Sequence, residues 1–219
     1  MPVLTAIRTR HRGSKSREIF VDGDLWRAIP ADVASQLGLE VGDEIDASDL
    51  EQRIAALEPT SARERALRLL TYRERSVHGL RARLEEDGYS EPVAQELVSD
   101  LVRCGLVDDE RFAYALARTL TQIRGLGRSR ALRELDANGI DDELARRALD
   151  EALPEDDELT AARALADSAA ARSGATVDKV ASRLLRRGYR PAIALEAARE
   201  AVRARSEAAE DGPEPSSGE

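Results

Sequence analysis

Aromatic residues make up only 3% of the 219-residue chain, lysine occurs only at Lys15 and Lys179, and Cys104 is the single cysteine. With so few rings, any core must be built from leucine, valine, isoleucine and alanine. One cysteine excludes a disulfide framework and a thiolate metal cluster. Cys104 falls at the end of a run of apolar positions on one helical face, so an inert, buried thiol is expected. Histidine occurs only as His11 and His78. His78 is two residues from Ser76, a spacing at which helical side chains point apart. No nucleophile–base pair is expected there. Arg124-Gly125-Leu126-Gly127-Arg128 has glycines but neither the preceding strand nor the lysine of a phosphate-cradling loop, so it reads as a helix-to-helix connection. Asp108, Asp109 and Glu110 are adjacent acids suited to a helix start rather than to one metal ion. The chain is thus expected to be non-enzymatic, with no metal and no cofactor. No apolar run approaches membrane length, and MPVLTAI is too short for a signal-peptide core. A cytoplasmic protein is expected.

Charge is abundant but unevenly placed. There are 33 basic against 42 acidic residues, a net charge of −9. Residues 1–17 nevertheless hold five basic residues and no acid, and residues 118–133 repeat that balance. Acids gather at 151–158 and after Arg205. Local basic patches on an acidic protein permit polyanion contact at selected faces.

One pattern occurs three times. With the glycine as origin, Leu84, Gly88, Tyr89, Val93 and Leu97 match Leu135, Gly139, Ile140, Leu144 and Ala148, then Leu184, Gly188, Tyr189, Ile193 and Ala197. Each copy reads as a helix, a glycine stop and a second helix. In copy one the second helix opens at Pro92 and places Val93, Leu97, Leu101 and Cys104 on one stripe. Room remains for a third helix before each pair, over 62–72, 109–123 and 159–171. Phe112, Leu116, Leu120 and Ile123 share a face of the middle one, whereas the last offers mostly alanines and should bury least. Ser76, Gly127 and Thr176 stand twelve residues before the three glycines, at helix starts. A period near 50 made only of helices is a helical-repeat signature. The expected fold is mainly α: three tandem three-helix repeats (61–107, 108–154 and 155–204) in an elongated arrangement.

A small mixed α/β appendage, 1–60, precedes them. Strands are expected at 3–9, 17–21 and 25–29, the last two joined by a hairpin turn at Asp22-Gly23. A helix over 32–37 ends at Gly38, and another runs from Ser48 or Asp49 to Pro59. The basic loop 8–17 admits two readings, a mobile hairpin tip or a phosphate contact. From 205 to 219 the composition predicts a disordered acidic tail, either solvated or lying over a basic face.

Arginine placement gives the candidate contacts. Arg73, Arg75 and Arg81 belong to the first repeat, Arg124, Arg128, Arg130 and Arg133 to the acid-free stretch of the second, and Arg186 and Arg187 to the glycine turn of the third. Either a solvated face or a contact with nucleic acid or an acidic protein accounts for them. Arg128 and Arg130, at a helix start, are expected to be exposed, so that reversing their charges would spare the fold.

Leu70-Thr71-Tyr72-Arg73-Glu74-Arg75-Ser76, then Gly105-Leu106-Val107-Asp108-Asp109-Glu110-Arg111-Phe112-Ala113, and Leu185-Arg186-Arg187-Gly188-Tyr189 resemble motifs of the RecX family of bacterial recombinase regulators. Ile19-Phe20-Val21-Asp22-Gly23 and Leu37-Gly38-Leu39 fit as well, so the likeness spans about residues 3–203. Gly79 departs from it, standing where the family usually has a glutamate that completes the capping box. The resemblance implies a monomer that binds the RecA nucleoprotein filament, with its single- or double-stranded DNA, and modulates, chiefly inhibits, ATP hydrolysis, strand exchange and co-protease action. Tyr72 joins the arginines above as a contact residue on the same ground. A rival from another class is an independent DNA-binding protein that uses a three-helix module like a helix-turn-helix.

Overall fold

The computed structural model describes residues 1–210. It divides into two compact units, Met1–Asp109 and a second starting at Glu110.

In the first unit, strands β1 (Leu4–Thr9), β2 (Ser16–Val21) and β3 (Asp24–Pro30) form an antiparallel meander in the order β1-β2-β3. The β2–β3 turn fits its sequence, because Asp22 and Gly23 both have positive φ, 51° and 93°. A two-residue primed turn demands that conformation at both positions. Helix α1 (Ala31–Leu37) ends at left-handed Gly38, and Val33 and Leu37 join Leu4, Ile19 and Ile29 in one core. The basic loop is tied down at its far end, where Ser14 and Ser16 are buried and Arg17 Nη1 donates to both of their carbonyls.

Helix α2 runs unbroken over Ala47–Tyr72, through Pro59, where the sequence predicts two helices and a domain boundary at 60. Proline removes one helical hydrogen bond and crowds the preceding turn. Packing outweighs that local cost: Leu50 and Ile54 are buried in the appendage core, whereas Ala62, Ala66 and Leu69 are buried in the core of the first repeat. One continuous buried stripe therefore fastens the appendage to the repeat. Helices α3 (Val77–Glu86) and α4 (Glu91–Arg103) complete the repeat. Ser76 Oγ accepts from the Gly79 amide at 3.0 Å, and the carboxylate of Asp109 takes the Val77 amide at 2.8 Å. Cys104 is exposed, against expectation. It is the C-cap of α4, the next residue, Gly105, is left-handed, and the buried stripe stops at Leu101.

The second unit holds α5 (Asp109–Arg118) from its second residue on, a π-helical segment Thr119–Ile123, α6 (Arg128–Asp136), α7 (Asp142–Ala152), α8 (Glu155–Ala170), α9 (Val177–Arg186) and α10 (Pro191–Glu210). The wider turn shifts the helical phase after Thr119. Arg124 N accordingly donates to Thr119 O. Leu120 and Thr121 therefore turn inward and Ile123, expected on the core face, is 81% exposed. Three of the five repeated positions are buried in every copy, including Leu97, Ala148 and Ala197, whereas Gly139 is exposed and Val93 and Ile193 are only partly buried. Leu84, Leu135 and Leu184 are each at most 1% exposed, and Tyr89, Ile140 and Tyr189 at most 4%. The third core is made largely of alanine, including Ala162, Ala166, Ala194 and Ala198. Its last helix continues to Glu210, so 205–210 are helical rather than part of a disordered tail. Arg203 and Glu207 pair one turn apart at 3.6 Å. That spacing supports a helix, and the alanines favour one. Residues 211–219, the remainder of the predicted tail, lie outside the described residues.

Candidate functional site

Most of the arginines singled out from the sequence are already engaged within their own unit. Arg128 has only 14% of its side chain exposed. Its guanidinium donates to Leu153 O at 2.8 Å and to Leu149 O at 3.4 Å, and it pairs with Asp150. It thereby caps the C-terminal end of α7, where carbonyls lack helical partners. Arg128 is a structural group, and the expectation of an expendable exposed charge fails for it. Arg187 Nη1 donates to Arg124 O at 2.7 Å and Gly125 O at 3.3 Å, and Arg130 Nη1 to Arg186 O at 3.0 Å. These bonds clamp the Gly125–Gly127 connection of the second repeat to the glycine turn of the third. At their centre Gly127 N donates to Arg187 O at 2.9 Å, and a Cβ on Gly127 would lie 2.4 Å from Tyr189 N. The connection predicted between helices is thus also a joint between repeats, which only glycine permits. The first repeat meets the appendage similarly, since a Cβ on Gly88 would lie 2.8 Å from Ser16 Oγ and 2.9 Å from the Ile29 carbonyl carbon.

Two buried glutamates escaped the sequence reading. Glu58 and Glu158 each precede a repeat glycine by thirty residues and are 3% and 0% exposed. Glu58 accepts the Ser90 amide at the start of α4, and Glu158 accepts Arg190 Nε at 2.8 Å beside the start of α10. Both put a negative charge at a helix N-terminus. Their common offset was the available signal, hidden in Glu158 by the surrounding acidic run.

A different arrangement holds around the end of α2 and the start of α3. Asp87, with 2% of its side chain exposed, receives Arg65 Nε at 2.7 Å and Arg83 Nη2 at 2.9 Å. Arg75 lies in the same cluster, and its Nε is buried with no hydrogen-bond partner among the described residues. Burial and the like charges of Arg73, Arg83 and Arg65 lower the pKa of Arg75, with Asp87 opposing them. Arg83 also reaches Glu86 at 2.7 Å, and Arg73 and Arg75 add positive charge beside the Arg65–Asp87–Arg83 cluster, a local excess that an incoming anion would relieve. Beside them Tyr72, the last residue of α2, is 86% exposed, and Arg73 follows it on the surface. An exposed ring flanked by arginines offers both a stacking face and phosphate or carboxylate partners. Arg81 is drawn toward Glu85 at 3.6 Å, and Arg124 lies 3.9 Å from Glu134; Arg133 and Arg186 are exposed. The ten candidates are therefore divided: Tyr72, Arg73 and Arg75 share one surface, whereas Arg128, Arg130 and Arg187 hold the second unit together.

Family models described as the first and second RecX three-helix domains match residues 62–101 and 108–149. Regulatory protein RecX of Corynebacterium efficiens is 34% identical over 170 residues, which cover 74% of this chain and 81% of that protein. The chain belongs to the RecX family. RecX of Bacillus subtilis is 32% identical over 149 residues, 68% of this chain and 56% of the relative, so the chain spans little more than half the length of that relative. A crystal structure of regulatory protein RecX superposes with a TM-score of 0.58 at 22% identity, over 91% of this chain and all of that one. RecX from Lactobacillus salivarius gives 0.53 at 24% identity, over 67% of this chain. The RecX fold of helical repeats therefore extends to this sequence. No described helix is long and apolar enough to cross a membrane.

Proposed function

We propose that this RecX-family chain is a non-enzymatic regulator that binds the RecA nucleoprotein filament as a monomer and lowers its ATPase, strand-exchange and co-protease activities. One observation carries the reading. Arg65 and Arg83 hold the buried Asp87 carboxylate, Arg75 and Arg73 add like charge beside it next to the exposed ring of Tyr72, and the buried Arg75 Nε has no hydrogen-bond partner among the described residues. Such a surface suits a phosphate backbone or a row of carboxylates, and a nucleoprotein filament presents both. The buried acids Glu58, Asp87 and Glu158 cap helix starts or bind arginines. The test is a titration of the protein into a single-stranded-DNA-dependent RecA ATPase assay. Wild type should lower hydrolysis, and Tyr72→Ala/Arg73→Glu should need at least about tenfold more protein, since each lost ionic contact is worth about 1 kcal/mol. Unchanged hydrolysis at saturating wild-type protein would defeat the proposal, and equal potency of the variant would remove this surface from it.

A further inference from the structure

The arginines of the third repeat fall into two groups. Arg163 pairs with Glu200 at 2.6 Å, Arg190 with Glu158 at 2.8 Å, and Arg187 is taken up by carbonyls of the preceding repeat. Arg172, Arg183 and Arg186 make no side-chain hydrogen bond or ion pair among the described residues. Together with Lys179 they line one pocket of about 220 Å³ between the end of α8 and one face of α9, and no carboxylate shares that lining. Lys179, Arg183 and Arg186 follow one another at spacings of four and three, which stacks them along a single helical face. Like charges so placed repel, and no carboxylate among the described residues pairs with them. The Lys179 ammonium is held in position by Gly174 O at 2.9 Å, and Thr176 caps the same end of α9. The N-terminal amides of that helix add positive potential beside Lys179 only.

We propose that this pocket binds the phosphodiester backbone of nucleic acid, giving the second unit a polyanion site of its own. The spacing argues for a backbone rather than a single anion. Seven residues of helix rise about 10 Å. Phosphates of one strand advance about 3.4 Å each along a duplex axis, so that length reaches past a single anion to its neighbours. Three guanidinium forks and an ammonium can each meet a different phosphate oxygen. Ala169 and Val180 meanwhile give the pocket an apolar floor that lowers its dielectric. A protein partner would need carboxylates at equal density along a line. The Arg75 cluster belongs to the first unit, so the inference stands without the RecA reading and is tested without RecA.

The experiment measures binding of a fluorescent single-stranded oligonucleotide, and of its duplex, by anisotropy across a salt series. Arg172→Gln/Arg183→Gln/Arg186→Gln keeps the aliphatic stems and removes three charges. For the single strand, the slope of log affinity against log salt should fall by about 2, at about 0.7 per lost phosphate contact. An unchanged slope and affinity would overturn the site. Should the triple variant melt early by circular dichroism, the exposed Arg186→Gln alone should lower the slope by about 0.7, and no change there would count equally against it. Polyglutamate displacing the oligonucleotide as well as inorganic polyphosphate does, at equal charge, would reassign the pocket to an acidic protein. Tyr72→Ala/Arg73→Glu, measured in parallel by ATPase inhibition, reports on the first unit and on the regulatory reading separately.

Discussion

The joint between the second and third repeats can be probed by substituting Gly127 and Gly188, with Gly174 of the α8–α9 connection as a control, because contact and backbone conformation separate cleanly among them. Gly127 has φ of −74°, which any residue adopts, but an added Cβ would lie 2.4 Å from Tyr189 N and 2.5 Å from the Gly188 carbonyl carbon. Gly174 has φ of +68° with nothing within 4 Å of the added atom. Gly188 combines φ of +91° with a Cβ 2.4 Å from that of Arg130. Ordinary carbon contacts lie near about 3.5–4.0 Å, so a methyl at Gly127 requires about 1 Å of separation between two backbones. That movement strains or breaks the bonds from Gly127 N to Arg187 O and from Ser129 N to Gly188 O. Overpacking costs about 1–3 kcal/mol, and each backbone group left unpaired costs about 1–3 kcal/mol more. Gly127→Ala should therefore lose about 3 kcal/mol, Gly174→Ala about 1 kcal/mol from left-handed strain alone, and Gly188→Ala more than either. Urea melts followed by circular dichroism measure all three. A loss under about 0.5 kcal/mol at Gly127, the range of an ordinary surface substitution, would show that the repeats are not held by this close approach.

Two further outcomes follow from the side chains nearby. Arg128 caps the Leu149 and Leu153 carbonyls. Arg128→Ala should therefore cost about 2 kcal/mol in the same melts, whereas exposed Arg133→Ala should stay within about 0.5 kcal/mol. Equal effects would mean that the Arg128 capping bonds contribute nothing. Burial pushes the Tyr189 phenol up to about 12. Its contribution to stability is complete below the unfolded value of about 10 and fades as pH rises through about 12. Tyr189→Phe should therefore lose less stability than wild type between about pH 10 and about pH 12, with melts at each pH as the check, and parallel curves would contradict the burial argument. Tyr89, whose hydroxyl bonds Ser61 and Asp32, is raised as well, so one substitution removes only part of the alkaline loss.

The sequence by itself determined the elements whose causes are local. Asp22-Gly23 needs positive φ and makes the hairpin, Gly38 and Gly88 stop helices, Ser76 and Thr176 cap them, and leucines at helical spacing mark Leu84, Leu135 and Leu184 as core. Repetition made those signals stronger, because the same offsets recur where the same packing recurs. Tertiary structure decided what depends on a distant partner. Pro59 passes through a helix because two separate cores bury its flanks, and a one-residue widening at 119–123 turns Ile123 outward although its spacing is that of a core residue. Arginine is the clearest case, since the side chain that caps a neighbouring helix and the one that faces a ligand look alike in a sequence. Arg128 and Arg187 are claimed by carbonyls, Arg163 and Arg190 by carboxylates, and Arg75, Arg172, Arg183 and Arg186 remain. Only the positions of those acceptors separate the guanidiniums that hold the fold from those left over for a partner.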